Sequence, residues 1–448
     1  MPPRDIIPVH DLQEKTHYIF TQLKRKNIAD AAITISSHSG FSLSSRQGVV
    51  DTFEYDQAQS LSLTVYESCQ SATVSVTSLS MDSLNYAIEK ALSLVKFVQK
   101  DEHAGLPDRS WLAWDYLNLQ LYHPWSISID EAKSRMLKGE KLLLQYNTPK
   151  VSVQTEAVRL STHSGFVWLA NTINNFCAHY PYSQHSLLCQ VIAKQGNDMQ
   201  IDYDYAVARK STTVLPMDDV INLAASKTIR RLNARSALPG SFPVIFEARV
   251  ATTLWQHLLS AVAGMTIYRE MSFLKDALGK NIFPKFINVI QKPHIKKGLH
   301  SSPFDAEGVL TREINYVKEG QLTHFLLSSY TARCLNLKTT GNAGGVYNIF
   351  ISHGKQTLKD LCLEMGRGYL ITELLGQGVN LVTGDYSRGA FGYFIDDGKI
   401  QYPVQGLTVA GNLQDMFQNI INIGKDLTCY SNISTGSVLI KDMIISAS

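Results

Sequence analysis

The sequence predicts an α+β fold in which an N-terminal helix and antiparallel-sheet region precedes a β-rich, barrel-like C-terminal domain. Apolar residues recur with helical spacing over residues 12–26, which predicts an amphipathic helix. Apolar and polar residues then alternate, as at Leu61, Leu63 and Val65, which is typical of a sheet with one face in water. After a linker of small residues with two prolines at 234–243, strand-like runs and turns dominate.

Residues 1–125 predict one unit of helix, antiparallel sheet and helix. The first helix is followed by four strand-like runs, predicted at residues 31–38, 49–55, 60–67 and 72–79. A second helix begins after Ser80, and its apolar face carries Ala87, Ile88, Ala91, Leu92 and Val95. This face is expected to pack on the sheet.

The same order of elements recurs in residues 126–233. Ser128 and Glu131 form an S-x-x-E capping box before a helix that ends near Tyr146, and Pro216 opens another helix that ends near residue 233. Strands are predicted at residues 151–161, 166–172, 187–194 and 199–209. The word SSHSGF at 36–41 and the word STHSGF at 161–166 are predicted to lie at a strand-to-strand turn in each unit. The match indicates either a duplication or a chance similarity.

The C-terminal domain carries a hairpin motif. Asp397-Gly398 separates the strand-like runs 391–395 and 400–404, and this dipeptide favours a tight two-residue turn. We therefore predict an N-terminal region at 1–233, which divides into 1–125 and 126–233 if the unit is duplicated, and a β-rich domain at 234–448.

The composition is that of an ordinary soluble protein. Hydrophobic residues make up 44% of the 448 residues and charged residues 18%, so two or three domains are expected. A net charge of +3 with scattered Lys and Arg argues against a nucleic-acid partner. No secretion signal and no apolar run of membrane-spanning length is recognisable, and the six cysteines form no C-x-x-C pair. These features predict a cytoplasmic protein with reduced thiols and no membrane contact.

A glycine-rich stretch at 340–411 is the strongest candidate for a functional surface. Its glycines suit a backbone with positive φ or a close approach of another chain, and its strands could offer backbone groups to one added peptide strand. The candidate residues for a peptide cleft or an interface are Gly344, Gly345, Asn348, Asp385, Ser387, Arg388 and Gly389. Asp385, Ser387 and Arg388 could bind a peptide carboxylate or form an interface ion pair. The alternatives are the tight corners of a barrel and a turn with a surface salt bridge.

Several longer words in the second half resemble the PmbA/TldE branch of the TldD–PmbA family, once described as modulators of DNA gyrase. The words are SSPFDAEGV, LLSSYTAR, GNAGGVYN, GQGVNLVTGDYSRGAFGYFIDDGKIQYPV and AGNLQDM. The resemblance runs from about Phe242 to the C-terminus, and the N-terminal half fits less specifically. It implies a two-subunit zinc peptidase in which a TldD-type subunit holds the metal on a H-E-x-x-x-H helix and a PmbA-type subunit completes the complex.

The metal-binding motif itself is missing, since neither H-E-x-x-H nor H-E-x-x-x-H occurs in the chain. By resemblance, FEARVATTLWQHLLSAVAG at 246–264 is the corresponding segment. With His257 as the first histidine, Leu258 replaces the general-base glutamate and Val262 replaces the second histidine. A lone histidine on an apolar helix face is typical of a hydrogen-bonded core residue. Cys429 lies near the region of the TldD-type cysteine ligand, but its surroundings do not match that pattern.

We therefore predict no catalytic residue, no metal site and no cofactor in this chain, with zinc on the partner subunit. The expected function is a PmbA/TldE-type subunit of a cytoplasmic zinc-dependent peptidase that acts on unfolded or precursor peptides, with hydrolysis by a TldD-type partner. One alternative is an independent metallopeptidase that combines His257, Cys429 and another histidine. Another is a non-catalytic regulator that binds peptides. A homodimer in the absence of the partner is also consistent with the sequence.

Overall fold

The computed structural model describes residues 8–428 and 431–447. In its first half, one antiparallel sheet of six strands has the order β3-β2-β1-β4-β5-β6. The elements of its first unit are α1 (Val9–Arg25), β1 (Asp30–Arg46), β2 (Val49–Glu67), β3 (Gln70–Val76) and α2 (Met81–Val95). Those of its second unit are α3 (Ile129–Leu142), β4 (Ser152–Asn171), β5 (Phe176–Gln195), β6 (Asp198–Ala208) and α4 (Met217–Arg230).

All four helices pack on the same face of this sheet. Ile35 of β1 pairs with Trp168 of β4, and Leu43 pairs with Leu160, so these four side chains share a face. The first pair belongs to the apolar core under α1 and α2, and the second pair to the core with α3 and α4. The predicted helices are found, and the hydroxyl of Ser128 accepts the backbone N–H of the third helical residue, as the capping motif predicts.

The two related words lie in the centre of the sheet, so the prediction that they mark turns is wrong. β1 and β4 run antiparallel through them, with Ser39 opposite Ser164 and Gly40 opposite His163. Strand runs predicted as separate pieces, such as 151–161 and 166–172, are joined into single long strands. A Cβ atom on Gly40 would overlap the backbone of β4, so this glycine permits close approach of two strands instead of a turn.

The second half contains a closed barrel and a smaller sheet, which confirms the α+β class with a barrel-like C-terminal region. The barrel strands are β8 (Gly240–Phe246), β13 (Gly368–Leu375), β14 (Asp385–Asp396), β15 (Lys399–Asn412) and β18 (Val438–Ala447). They pair in the order β8-β13-β14-β15-β18, and β18 pairs back with β8. Asp397 and Gly398 both have positive φ and join β14 to β15, as the hairpin motif predicts.

The remaining elements surround the barrel. They are β7 (Arg235–Ser236), α5 (Ala248–Ala261), α6 (Gly264–Tyr268), β9 (Val289–Gln291), β10 (Ile314–Lys318), β11 (Gln321–Leu322), α7 (Ser329–Cys334), β12 (Ile349–Ile351), α8 (Leu358–Met365), α9 (Leu413–Gln418), β16 (Ile420–Ile423) and β17 (Ile433–Ser434). β7 pairs with β15 and β8 enters the barrel at Gly240, so most of the segment expected as a linker is sheet. No helix in the described part of the chain is long and apolar enough to cross a membrane.

Arg333 and Tyr330 of α7 connect the two halves of the chain. Arg333 of α7 donates hydrogen bonds to the carbonyls of His103 at 2.7 Å, Gly105 at 2.9 Å and Leu106 at 3.2 Å. Tyr330, from the same helix, donates its hydroxyl to Asp101 at 2.7 Å. These bonds, three of them charge-assisted, attach α7 of the second half to the loop at residues 101–106 of the first half.

Candidate functional site

Helix α5 lies in the segment that by resemblance corresponds to the metal-binding helix, and its inward face is part of the barrel core. Leu258 and Val262 are 0% exposed and belong to the same apolar cluster as the barrel strands. Trp255 is also fully buried and donates its indole N–H to the hydroxyl of Thr435 at 3.0 Å. The apolar stripe predicted for this helix is therefore real, and both replaced motif positions are occupied by core side chains.

His257 lies beside this stripe and is half-buried. Its ring meets the ring of Tyr386 edge-on, with centroids 6.1 Å apart. Burial and the positive charge of Arg388 lower the pKa of His257 to about 4, so the imidazole is neutral at pH 7. The expectation of a hydrogen-bonded core histidine is wrong for one nitrogen, because Nε2 is buried with no partner in the described structure.

The residues around His257 do not fit a zinc site. Aliphatic side chains at Leu258 and Val262 cannot coordinate a metal, and Arg388 places a positive charge nearby. Among residues 8–428 and 431–447, no three His, Cys, Asp or Glu side chains are grouped so as to hold a metal ion. Cys429 lies outside the described residues. The lack of a metal site in this chain stays a prediction that rests on these residues.

The trio Asp385, Ser387 and Arg388 does not act as one group. All three lie on β14, where successive side chains alternate between faces. Asp385 and Ser387 are exposed on one face, and Arg388 lies with buried Tyr386 on the other. Asp385 accepts the hydroxyl of Thr383 at 2.6 Å, whereas Arg388 Nη2 donates to the carbonyl of Gly376 at 2.7 Å.

The backbone of this part of β14 is already paired, so the expectation that it accepts an added peptide strand is wrong. Residues 385–390 pair with β15 along one side. On the other side Ser387 N–H donates to Gly378 O at 2.7 Å and Asn380 N–H donates to Asp385 O at 2.9 Å. Gly389 pairs with Leu375 of β13. A ligand at this place must therefore be bound by side chains.

The other glycine group forms a loop that is anchored by Asp305. This carboxylate accepts the backbone N–H of Glu307 at 2.9 Å, of Val309 at 3.0 Å and of Ala343 at 2.9 Å. Burial and the charge of Glu307 raise the pKa of Asp305 to about 7, against the opposing effect of the three N–H groups. The third bond ties the loop at 341–345 to a segment 38 residues earlier in the chain.

Above this anchor, Gly344 and Gly345 are exposed and have φ values of 91° and 135°. The amide of Asn342 supports them from below, since its nitrogen donates to Gly345 O at 2.8 Å and to Gln291 Oε1 at 2.9 Å. Positive φ at exposed positions explains why glycine stands there. The backbone of Gly344 and Gly345 is therefore exposed, and hydrogen bonds from the Asn342 side chain hold the loop in place.

Asn348 belongs to a separate cleft. Its side-chain amide donates to Lys292 O at 3.0 Å and to Ser301 Oγ at 2.7 Å. A cavity of about 400 Å³ adjoins it, with Arg209 and Lys297 among its lining residues. In the described structure no hydrogen bond or ring contact joins the residues at 344–348 to those at 385–389. The candidate residues thus lie in three places: the loop with Gly344 and Gly345, the cleft beside Asn348, and β14.

Sequence reasoning missed Asp305 and Tyr386 as members of these groups. Asp305 stands in the word FDAEG, and its carboxylate accepts the backbone N–H groups two and four residues later, which is a local turn pattern typical of Asp. Its bond to Ala343 depends on the tertiary fold and has no local pattern. Tyr386 could have been paired with Arg388 from the two-residue period of a strand.

Comparison with known proteins gives the family. A family model described as the PmbA/TldA metallopeptidase central domain matches residues 122–232, and one described as the PmbA/TldA metallopeptidase C-terminal domain matches residues 239–447. The Metalloprotease PmbA of Escherichia coli O157:H7 is 40% identical over 415 residues, which cover 93% of this chain and 92% of that protein. A zinc metalloprotease TldD homolog of Saccharolobus solfataricus is 22% identical over 264 residues, which cover 54% of this chain and 58% of that protein.

The fold is also found in a solved structure. A crystal structure from Bacteroides thetaiotaomicron, described as a modulator of DNA gyrase, superposes with a TM-score of 0.92 at 20% identity, covering 99% of this chain and all of that one. At this identity the likeness supports the fold alone. The matched family models and the 40% identical relative decide the family. The chain belongs to the PmbA/TldD family of metallopeptidases.

Proposed function

We propose that this chain is the subunit of a zinc-dependent peptidase that does not itself hold the metal. A TldD-type partner would supply the zinc and carry out the hydrolysis, while this chain completes the chamber in which peptides are bound. The observation that carries the proposal is the position of Leu258 and Val262, which fill the barrel core where a glutamate and a histidine would be needed. The zinc metalloprotease name of the TldD relative supports a metal in the family.

The substrate in this proposal is an unfolded or precursor peptide. Gly344 and Gly345 present exposed backbone on an anchored loop, and this surface suits an extended chain that approaches closely. The scattered charge of the sequence favours a peptide over a nucleic acid as the partner. We also propose that the protein acts in the cytoplasm. The proposed domain boundary lies between residues 233 and 234.

The experiment that tests this function compares three samples: the purified chain, a purified TldD-type partner, and their equimolar mixture. Cleavage of a fluorogenic unstructured peptide is measured in each, and size-exclusion chromatography reports co-elution. We expect cleavage in the mixture and none by this chain alone. As a control, the partner with its motif glutamate changed to glutamine should leave the complex intact and abolish cleavage, because it removes only the general base.

Two results would contradict the proposal. The first is cleavage by the isolated chain at the rate of the mixture, which would support an independent metallopeptidase. The second is a chain that never co-elutes with the partner and never changes its activity, which would support a separate peptide-binding role.

A further inference from the structure

Three polar side chains meet between α5 and β14, and each keeps one buried atom without a hydrogen-bond partner in the described structure. The atoms are Nε2 of His257, the hydroxyl oxygen of Tyr386 and Nε of Arg388. Tyr386 and Arg388 are two residues apart on one strand and therefore share a face. The ring of His257 lies edge-on to that of Tyr386, at 6.1 Å. Most buried polar atoms in proteins are paired, so three at one place indicate a site for a ligand.

The charge of the cluster is positive. Arg388 lowers the pKa of His257, and burial keeps both His257 and Tyr386 neutral at pH 7. Within the described residues, Arg388 takes part in no ion pair, and its side chain donates only to the carbonyl of Gly376. The guanidinium edge and the phenol are both donors, and the neutral imidazole can donate through Nε2. The three groups can therefore all donate to an anionic acceptor, and none of them is such an acceptor itself.

We propose that this cluster binds a single carboxylate, and specifically the C-terminal carboxylate of a peptide. Arg388 and Tyr386 would donate to the two oxygens and His257 would donate from the side. That the ligand is a peptide rests on the proposed function, whereas the preference for a carboxylate rests on the cluster alone. His257 and Arg388 are partly exposed, whereas the three unpartnered atoms are buried, so a carboxylate reaches these atoms only when the side chains of the cluster move apart.

The charge of the cluster favours a carboxylate over a phosphate. The pairing of the nearby backbone favours the C-terminal end of a peptide over an internal peptide segment. The cluster contains one cation, and one of its donors is already used by Gly376, so a dianion would remain largely uncompensated in a half-buried place. The neighbouring backbone of β14 is paired on both sides, so a passing chain could not be held there as an added strand. The C-terminal carboxylate of a peptide can be bound by side chains alone, without pairing to the backbone of β14.

The test measures binding of short peptides to the isolated full chain by calorimetry. The probes are an acetylated pentapeptide of Ala and Leu with a free carboxylate, the same peptide as its C-terminal amide, the amide with one internal Glu, and inorganic phosphate. We expect the free acid to bind at least about tenfold tighter than the amide, in line with bonds to a charged group. Phosphate should bind no better than the amide, since its dianion, a major species near pH 7, carries more charge than the single cation of the cluster balances. The amide with internal Glu should also bind no better, since it lacks a charged chain end.

Two variants assign the effect to the cluster. Tyr386→Phe removes only the hydroxyl and should weaken binding of the acid about tenfold without changing that of the amide. Arg388→Gln should abolish the difference between acid and amide. The matched controls are Tyr369→Phe, whose hydroxyl bonds the backbone of Leu238, and Arg367→Gln, an exposed arginine just before β13. Both controls should keep the preference for the acid.

The hydroxyl of Tyr386 also gives a readout that does not depend on binding. Because it has no protein partner in the described structure, Tyr386→Phe should leave the unfolding midpoint of the free chain unchanged or raise it. Tyr369→Phe loses two hydrogen bonds and should lower it.

Equal affinity for acid and amide, or a preference that survives Arg388→Gln, would overturn this inference. So would tighter binding of phosphate or of the internal-Glu amide than of the free acid. Cleavage by the mixture with no preference for the acid would leave the proposed function standing and the carboxylate site refuted. A preference for the acid with no cleavage by the mixture would do the reverse.

Discussion

Leu258→Glu tests whether this position is a lost catalytic residue that can be restored or a core position that cannot accept a carboxylate. Leu258 is 0% exposed, so the substitution loses about 2–3 kcal/mol of apolar burial. Keeping the new carboxyl neutral at pH 7 costs about 4 kcal/mol, from an ordinary Glu pKa of about 4.3. Burying it without a partner adds about 1–3 kcal/mol.

The sum, about 7–10 kcal/mol, is comparable to the whole free energy of unfolding of an ordinary domain. We expect Leu258→Glu to lower the thermal midpoint by at least about 10 °C, taking about 2 °C per kcal/mol, or to prevent soluble expression. Gln256→Glu is the matched control, because it places the same carboxylate on an exposed position of the same helix. It should change the midpoint by no more than about 1–2 °C, since exposed substitutions cost little.

The double variant Leu258→Glu with Val262→His recreates the letters of the motif and extends the test to metal. We expect it to hold less than about a tenth of an equivalent of zinc, because both new side chains point into the core and His257 faces a guanidinium. Elemental analysis of the purified protein measures this, with the unchanged chain beside it, which should be equally poor in zinc. A stable double variant with stoichiometric zinc would refute the reasoning.

Three further predictions concern the anchored loop and the contact between the halves. Since the folded pKa of Asp305 is raised to about 7, the folded chain keeps a proton that the unfolded chain loses, and this group lowers stability as pH rises from about 4 to about 7. Asp305→Asn should reduce the difference in urea midpoint between pH 5 and pH 8, and an undiminished difference would count against it. Arg333→Gln should cost about 2–3 kcal/mol in urea unfolding through its three carbonyl contacts, whereas exposed Arg367→Gln should cost under about 0.5 kcal/mol. Gly345→Leu should weaken assembly with the partner or cleavage by the mixture while the free chain stays folded, and Gly196→Leu, at another open glycine with positive φ, should affect neither.

The helices and most strand runs of the first half could be predicted from the sequence because they depend on local periodicity, whereas few single elements of the second half could. The helices that flank the first sheet, the cap at Ser128 and the hairpin at Asp397-Gly398 are all specified by neighbouring residues. The central position of the two SSHSGF-like words was not predictable in this way. Gly40 favours a turn when read alone, and only the position of β4 shows that it permits close strand packing.

The candidate site was harder to predict, for two physical reasons. The glycines beside Asp385, Ser387 and Arg388 suggested a loop in which all three could meet, but the segment is a strand and its alternation separates Arg388 from the other two. Asp305 acts on Ala343 through a tertiary contact, which local spacing does not encode. In both cases the sequence did not predict which side chains and backbone groups would be in contact in the folded chain.

The sign of the charge beside His257 connects the predicted lack of a metal site with the proposed carboxylate site. A zinc ion is bound by anionic or neutral donors, and a divalent cation is repelled by a nearby guanidinium. Arg388 lowers the pKa of His257, so it acts on this nitrogen in the same way that it would act on a metal bound there. The core positions of Leu258 and Val262 remove the other donors. The predicted lack of a metal site and the proposed carboxylate site therefore depend on the same guanidinium, that of Arg388.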